Sequence, residues 1–208
     1  MKITRLLAVS TTVLAGLVLA ASAMAQSPPT RLRGTISAID GKTVTIATRE
    51  GPSVSVKLAD NWAVALVTPI SAADIKPNSF VGVASMGSDA NRTALEVLVF
   101  PEAMRGTGEG HYPWDLQPES MMTNATVATV APGGDGQTLK LDYKDKQGAA
   151  GTQTIKVKPG TPIVTFAPGT QADAKVGAKV FTGAQKAADG TLTAARLNVG
   201  KDGFTPPM

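Results

Sequence analysis

From Arg31 to Leu58 the chain reads RLRGTISAIDGKTVTIATREGPSVSVKL, a stretch in which apolar and polar side chains alternate and the alternation stops only at turns. This period of two is the strongest constraint on the fold. Side chains that alternate along an extended backbone bury one face and wet the other, which is the pattern of a half-buried strand. Leu32, Ile36 and Ile39 predict a first strand, Val44 and Ile46 a second, and Val54, Val56 and Leu58 a third. Asp40-Gly41 is a hairpin signal, and Glu50-Gly51-Pro52-Ser53 turns the chain again. WAVALVTPI continues as an apolar extended or partly helical piece. SAADIKPNSF then reads as a short helical turn or loop, opened by Ser71 and Asp74 and stopped by Pro77-Asn78. FVGVASM and TALEVLVF predict two more strands across the polar turn Ser88–Arg92.

The same order recurs after residue 122. Ile36-Ser37-Ala38-Ile39 matches Val127-Ala128-Thr129-Val130, KTVTIAT matches QTLKLDY, and SVSVKL matches QTIKVK. WAVALVTPI, DIKPNSFVGVAS and NRTALEVLVF match TPIVTFAPG, DAKVGAKVFTGA and DGTLTAARLNV in turn. An internal duplication follows, with repeats over 31–100 and 123–200 and a connector over 101–122. A five- or six-stranded sheet this small must cover one face and protect its edges, and closure into a barrel does both. The expected fold is therefore all-β: two tandem OB-like small barrels, each with its irregular link between the third and fourth strands. A β-sandwich is the alternative. No long helix is expected after the N-terminal segment.

That segment reads as a signal peptide over 1–25. Lys2 and Arg5 precede an apolar run from Leu6 to Ala21, and Ala23-Met24-Ala25 places the cleavage site at Ala25–Gln26. The run is short for a membrane span and no later segment reaches that length, so a periplasmic or secreted protein without a transmembrane segment is expected. The chain has no cysteine, which excludes disulfides, thiol catalysis and thiolate metal sites. The lysines of the second repeat alternate with apolar residues and read as the wet face of strands; with aromatics at 4%, nucleic-acid binding is not expected.

The connector concentrates the rare residues. MRGTGEGHYPWDLQPESMM holds the single histidine, three glycines at alternate positions, and Tyr112 and Trp114 around Pro113. Arg105, Glu109, His111, Tyr112, Trp114 and Asp115 are the candidate ligand-binding residues. His111 with Glu109, Asp115, Met121 and Met122 is the candidate metal set, since imidazole with carboxylates suits a divalent ion and imidazole with thioethers suits copper. Ser120, His111 and Asp115 hold the atoms of a hydrolytic triad, but no nucleophile elbow surrounds Ser120. The Gly106-x-Gly108-x-Gly110 run follows a strand as a dinucleotide loop would. Pro113 and Pro118, however, forbid the helix that must come next. A flexible tether would not spend large apolar residues in this way, so the connector is expected to be ordered and wedged between the barrels.

The connector resembles that of a family of exported bacterial proteins of unknown function. In that family an F-P-x-x-x-R-G-x-G-E-G-H-x-x-W-D-x-x-P-x-S-M-M-T-N-A-x-V run joins two small repeated β domains. Phe100, Pro101, Arg105, Gly106, Gly108, Glu109, Gly110, His111, Trp114, Asp115, Met121, Met122, Thr123 and Asn124 carry the likeness. The resemblance implies no reaction. Some members bear an automatic metal ABC transporter permease label, which an export signal followed by no spanning segment does not suit. The expected function is a non-enzymatic binding or structural module whose partner is a small ligand or an envelope protein and whose cofactor is unknown. A metal-binding accessory protein of a transport system and a hydrolase with its site in the connector are the alternatives.

Overall fold

The computed structural model describes residues 28–208. The signal peptide and the Ala25–Gln26 cleavage site lie outside the described residues. The strands are β1 (Thr30–Asp40), β2 (Thr43–Thr48), β3 (Val54–Pro69), β4 (Phe80–Met86), β5 (Arg92–Val99), β6 (Gly110–Pro113), β7 (Met121–Gly133), β8 (Gly136–Lys144), β9 (Ala150–Val157), β10 (Ile163–Pro168), β11 (Lys179–Lys186) and β12 (Leu192–Gly200). Helix among the described residues is limited to single three-residue turns, two of which, Ala72–Asp74 and Gln171–Asp173, begin with capping boxes from Ser71 and Thr170. No helix among them is long and apolar enough to cross a membrane.

The period of two does what it predicts. Ile36, Val44, Ile46 and Val56 are fully buried, while Ser55 and Lys57 are exposed. Gly41 takes φ 55° in the turn that brings Asp40 opposite Thr43. Ile39 departs from the pattern. The β1–β2 register slips between Ile36 and Ala38 and sets Ile39 opposite the buried Val44, yet Ile39, one residue from the strand end, stays 40% exposed.

β1, β2, β3, β12 and β11 pair in a closed ring of five. All contacts are antiparallel except β3–β12, which runs parallel. The protein is thus all-β with a closed barrel, not a two-sheet sandwich. Five of the remaining seven strands pair in the same order, β7–β8–β9–β5–β4 and back to β7, again with a single parallel contact at β9–β5. That parallel seam has only two residue pairs, Arg92 with Ile155 and Thr93 with Lys156. A bulge between Val127 and Thr129 stands where β1 has its own.

The barrel is not made by residues 31–100 alone, and this corrects the expected division. β11 and β12 come from the C-terminal segment, whereas β4 and β5 pair with β7 and β9. The cause lies in β3, whose 16 residues run beyond the barrel wall and pair antiparallel with β10 from Val164–Pro69 to Pro168–Ala65. The two strands carry the chain past each other, so each following pair of strands lands in the other ring. Cores follow this exchange: Val180, Ala194, Leu197 and Val199 pack with Leu32, Ile36 and Val44. Val81, Val83 and Val97 pack with Val127, Leu139 and Ile155. Each such side chain contributes about 1.5–3 kcal/mol by leaving water, so neither segment keeps its core without the other. A third cluster, with Val67, Leu98, Val164 and Phe166, fills the junction between the rings.

Candidate functional site

The connector lies on this junction. It includes a strand where an irregular path was expected: Gly110 to Pro113 form β6, antiparallel to the start of β7, with His111 opposite Thr123 and Tyr112 opposite Met122. Gly108 has φ 60°, and a Cβ there would press on the Asn124 side chain, whose amide donates to the Thr107 carbonyl at 2.9 Å. A glycine is what lets the backbone pass this close to β7. Because adjacent strand residues point to opposite sides, His111 and Tyr112 serve different surroundings.

On the Tyr112 side is a cavity of about 180 Å³ between the rings. Its walls are Phe100, Phe166, Phe181, Tyr112 and Trp114 with the thioethers of Met104, Met122 and Met208. Gly82 leaves room on the floor, where a Cβ would meet Asn124 Oδ1 at 2.7 Å and the Phe100 ring at 3.2 Å. Glu96 and Leu98 of β5, and Phe100 just after it, face the cavity while Val97 and Val99 face the core. Asn198 and Arg196 of β12 face it from the other ring. Three polar atoms in these walls are buried without a hydrogen-bond partner among the described residues: Glu96 Oε2, Trp114 Nε1 and Asn198 Oδ1. Burial pushes the Glu96 carboxyl up to about 8, against the pull of the Arg33 and Arg49 charges. A mostly apolar pocket with a few convergent polar groups is the usual form of a small-molecule site.

On the His111 side is a polar cluster at one end of the second ring. His111 Nδ1 lies 2.8 Å from Thr123 Oγ1, and burial with the nearby Arg92 charge holds the imidazole below its ordinary pKa. Arg92 donates to Asp89 at 2.7 Å, and its Nη1, Ser85 Oγ and Gln153 Oε1 are buried without partners among the described residues. Matching the registers of the two rings puts Thr123, Gln153, Ser85 and Arg92 where the closed barrel has Leu32, Val54, Ala184 and Leu192.

The structure separates most of the residues singled out from the sequence. Asp115 leaves His111 and binds Arg33 Nη2 at 2.7 Å, with Arg31 at 3.6 Å. Burial opposes its ionisation, but the Arg33 hydrogen bond and charge hold the carboxyl below its usual range. Arg31 stacks over Trp114 at 3.8 Å. Glu109 accepts from the Lys144 backbone at 3.0 Å, and Arg105 pairs with Glu102 and donates to the Asn78 carbonyl. The metal set is not assembled: among the described residues no three His, Asp or Glu side chains come together, and Met121 and Met122 point to opposite sides of β7. The hydrolytic set is dispersed too, since Ser120 Oγ donates to the Gln117 carbonyl at 2.7 Å. Tyr112 and Trp114 do meet in one site. Glu96 and Asn198 went unnoticed, yet Glu96 had a signal: it is the one carboxylate inside TALEVLVF. Comparison of the chain with family models, curated proteins and solved structures finds no match.

Proposed function

We propose that this chain is an exported, non-enzymatic binding module. In this reading two duplicated OB-like barrels exchange their last two strands, and the ligand occupies the cavity at their junction. The junction cavity carries the reading. Its aromatic and thioether walls stabilise an apolar guest, while Glu96 and Asn198 leave hydrogen bonds unmade for a guest to complete. The order of strand pairing supports the OB-like description, and the paired bulges in β1 and β7 support the duplication. The likeness of the connector to an exported family, with the charged and apolar start of the chain, supports periplasmic or secreted placement.

Methyl NMR on ¹³C-methionine protein tests the reading with phenol, indole, benzoate and benzylamine as probes. Saturable shifts are expected at Met104, Met122 and Met208, with Met86 unmoved. Gly82→Val, which fills the floor, is expected to abolish them. If no probe moves the three methyls, or if Gly82→Val binds as the parent does, the cavity is not a binding site.

A further inference from the structure

Glu96 and Arg196 hold matching places in the two rings. Each lies one residue before a core residue on the parallel seam strand, Val97 in β5 and Leu197 in β12. Both line the junction cavity, and no ion pair among the described residues joins them. The cavity therefore has a carboxyl wall and a guanidinium wall with a gap between.

The two walls differ in solvation. Glu96 is 1% exposed and pushed up to about 8, so it is largely neutral at pH 7. Arg196 is exposed, and among the described residues its guanidinium has one side-chain hydrogen-bond partner, Met104 Sδ at 3.9 Å. Among the described residues the site thus has an exposed guanidinium in its wall, and the Arg33 and Arg49 charges also act on Glu96. That field repels an organic cation and attracts an anion. At the deep end Asn198 Oδ1 stands as an acceptor without a partner among the described residues, and beside it Glu96 Oε2, on a carboxyl that keeps its proton, also lacks one. The intervening walls are faces and edges of aromatic rings, which pack best on a flat ring. An engineered apolar cavity of about 150 Å³ holds benzene, so about 180 Å³ takes one ring with small substituents.

We propose that the ligand is a small aromatic carboxylate with a hydrogen-bond donor at the far end of its ring. The carboxylate pairs with Arg196, the ring stacks among Phe100, Phe166 and Trp114, and the distal group donates to Asn198 Oδ1 beside the Glu96 carboxyl. This inference rests on the junction cavity being a binding site.

Calorimetry on the whole protein with 4-hydroxybenzoate, 4-hydroxybenzamide and 4-hydroxybenzylamine separates the two ideas, with the methionine methyls as a second readout. The acid is expected to bind at least tenfold tighter than the amide, and the amine weakest. Acid affinity should fall with salt. Arg196→Gln, at an exposed position, should erase the preference for acid over amide. Asn198→Leu, which copies Leu98 of the other ring, should erase the preference for 4-hydroxybenzoate over benzoate. If amide or amine binds as tightly as acid, or if the preference survives Arg196→Gln, the carboxylate assignment is overturned and the cavity remains a site. If none of the three moves Met104, Met122 or Met208, the binding reading itself fails with it.

Discussion

Glu96 makes stability depend on pH in a definite direction. In the unfolded chain it ionises near its ordinary 4.5, and in the fold near 8. Below 4.5 both states hold the proton. Between those values the unfolded chain has released a proton that the fold keeps, so stability falls as pH rises and levels off above 8. At about 1.4 kcal/mol per pKa unit the loss is on the order of 5 kcal/mol. Glu96→Gln should flatten this slope and leave the protein more stable at pH 9; urea denaturation of both proteins at pH 5, 7 and 9 measures it, and equal slopes would contradict the neutral buried carboxyl. Asp115 acts in the opposite sense. Its carboxyl is held below 3.8, so its contribution is present above that value and lost as pH falls through the lowered one. Asp115→Ala also strips Arg33, only 9% exposed, of its partner. Asp115 is half exposed and screened, so the expected cost is about 1–2 kcal/mol at pH 7, read as a shift in denaturation midpoint.

Among the elements, β6 and the polar residues at that end of the second ring differ most from what alternation suggests. The period of two placed the strands well but did not tell which buried positions would be polar. Ser85 and Gln153 sit in a layer that is apolar in the closed barrel, and each leaves a buried polar atom unpaired. An unmade buried hydrogen bond costs about 1–3 kcal/mol. Gln153→Val, which installs the residue found at the matching Val54, should therefore raise stability by about 1 kcal/mol. A lower thermal midpoint would mean that Gln153 has a partner in solution, such as an ordered water. His111 was legible as unusual because it is the single histidine. Its bond to Thr123 was not, because that contact depends on β6 pairing with β7.

For the whole molecule, the exchange of strands dictates how the halves behave. A chain split in the exposed turn after Pro118 gives two fragments, each with three strands of one ring and two of the other. Neither can close a ring from the contacts seen here. Mixed fragments should recover the β circular-dichroism spectrum as a 1:1 complex, while each alone should show little cooperative unfolding. Two fragments that fold separately as monomers would show that each repeat closes on itself and that the exchange is dispensable.

The sequence by itself determined the strand class, the turns and the crowded connector. Alternation, Asp40-Gly41 and the Gly, Trp and His cluster are local signals, and local backbone preference is enough to read them. A carboxylate in the apolar run TALEVLVF was a signal for Glu96 as well, but alternation alone did not mark it as a site residue. Only the tertiary structure decided which strands share a barrel, because alternation states which face is buried and never against which partner. The junction cavity was hidden for the same reason. Its walls come from β4, β5, β7, β10, β11 and β12, the connector and Met208, and they meet only because β3 and β10 carry the chain across.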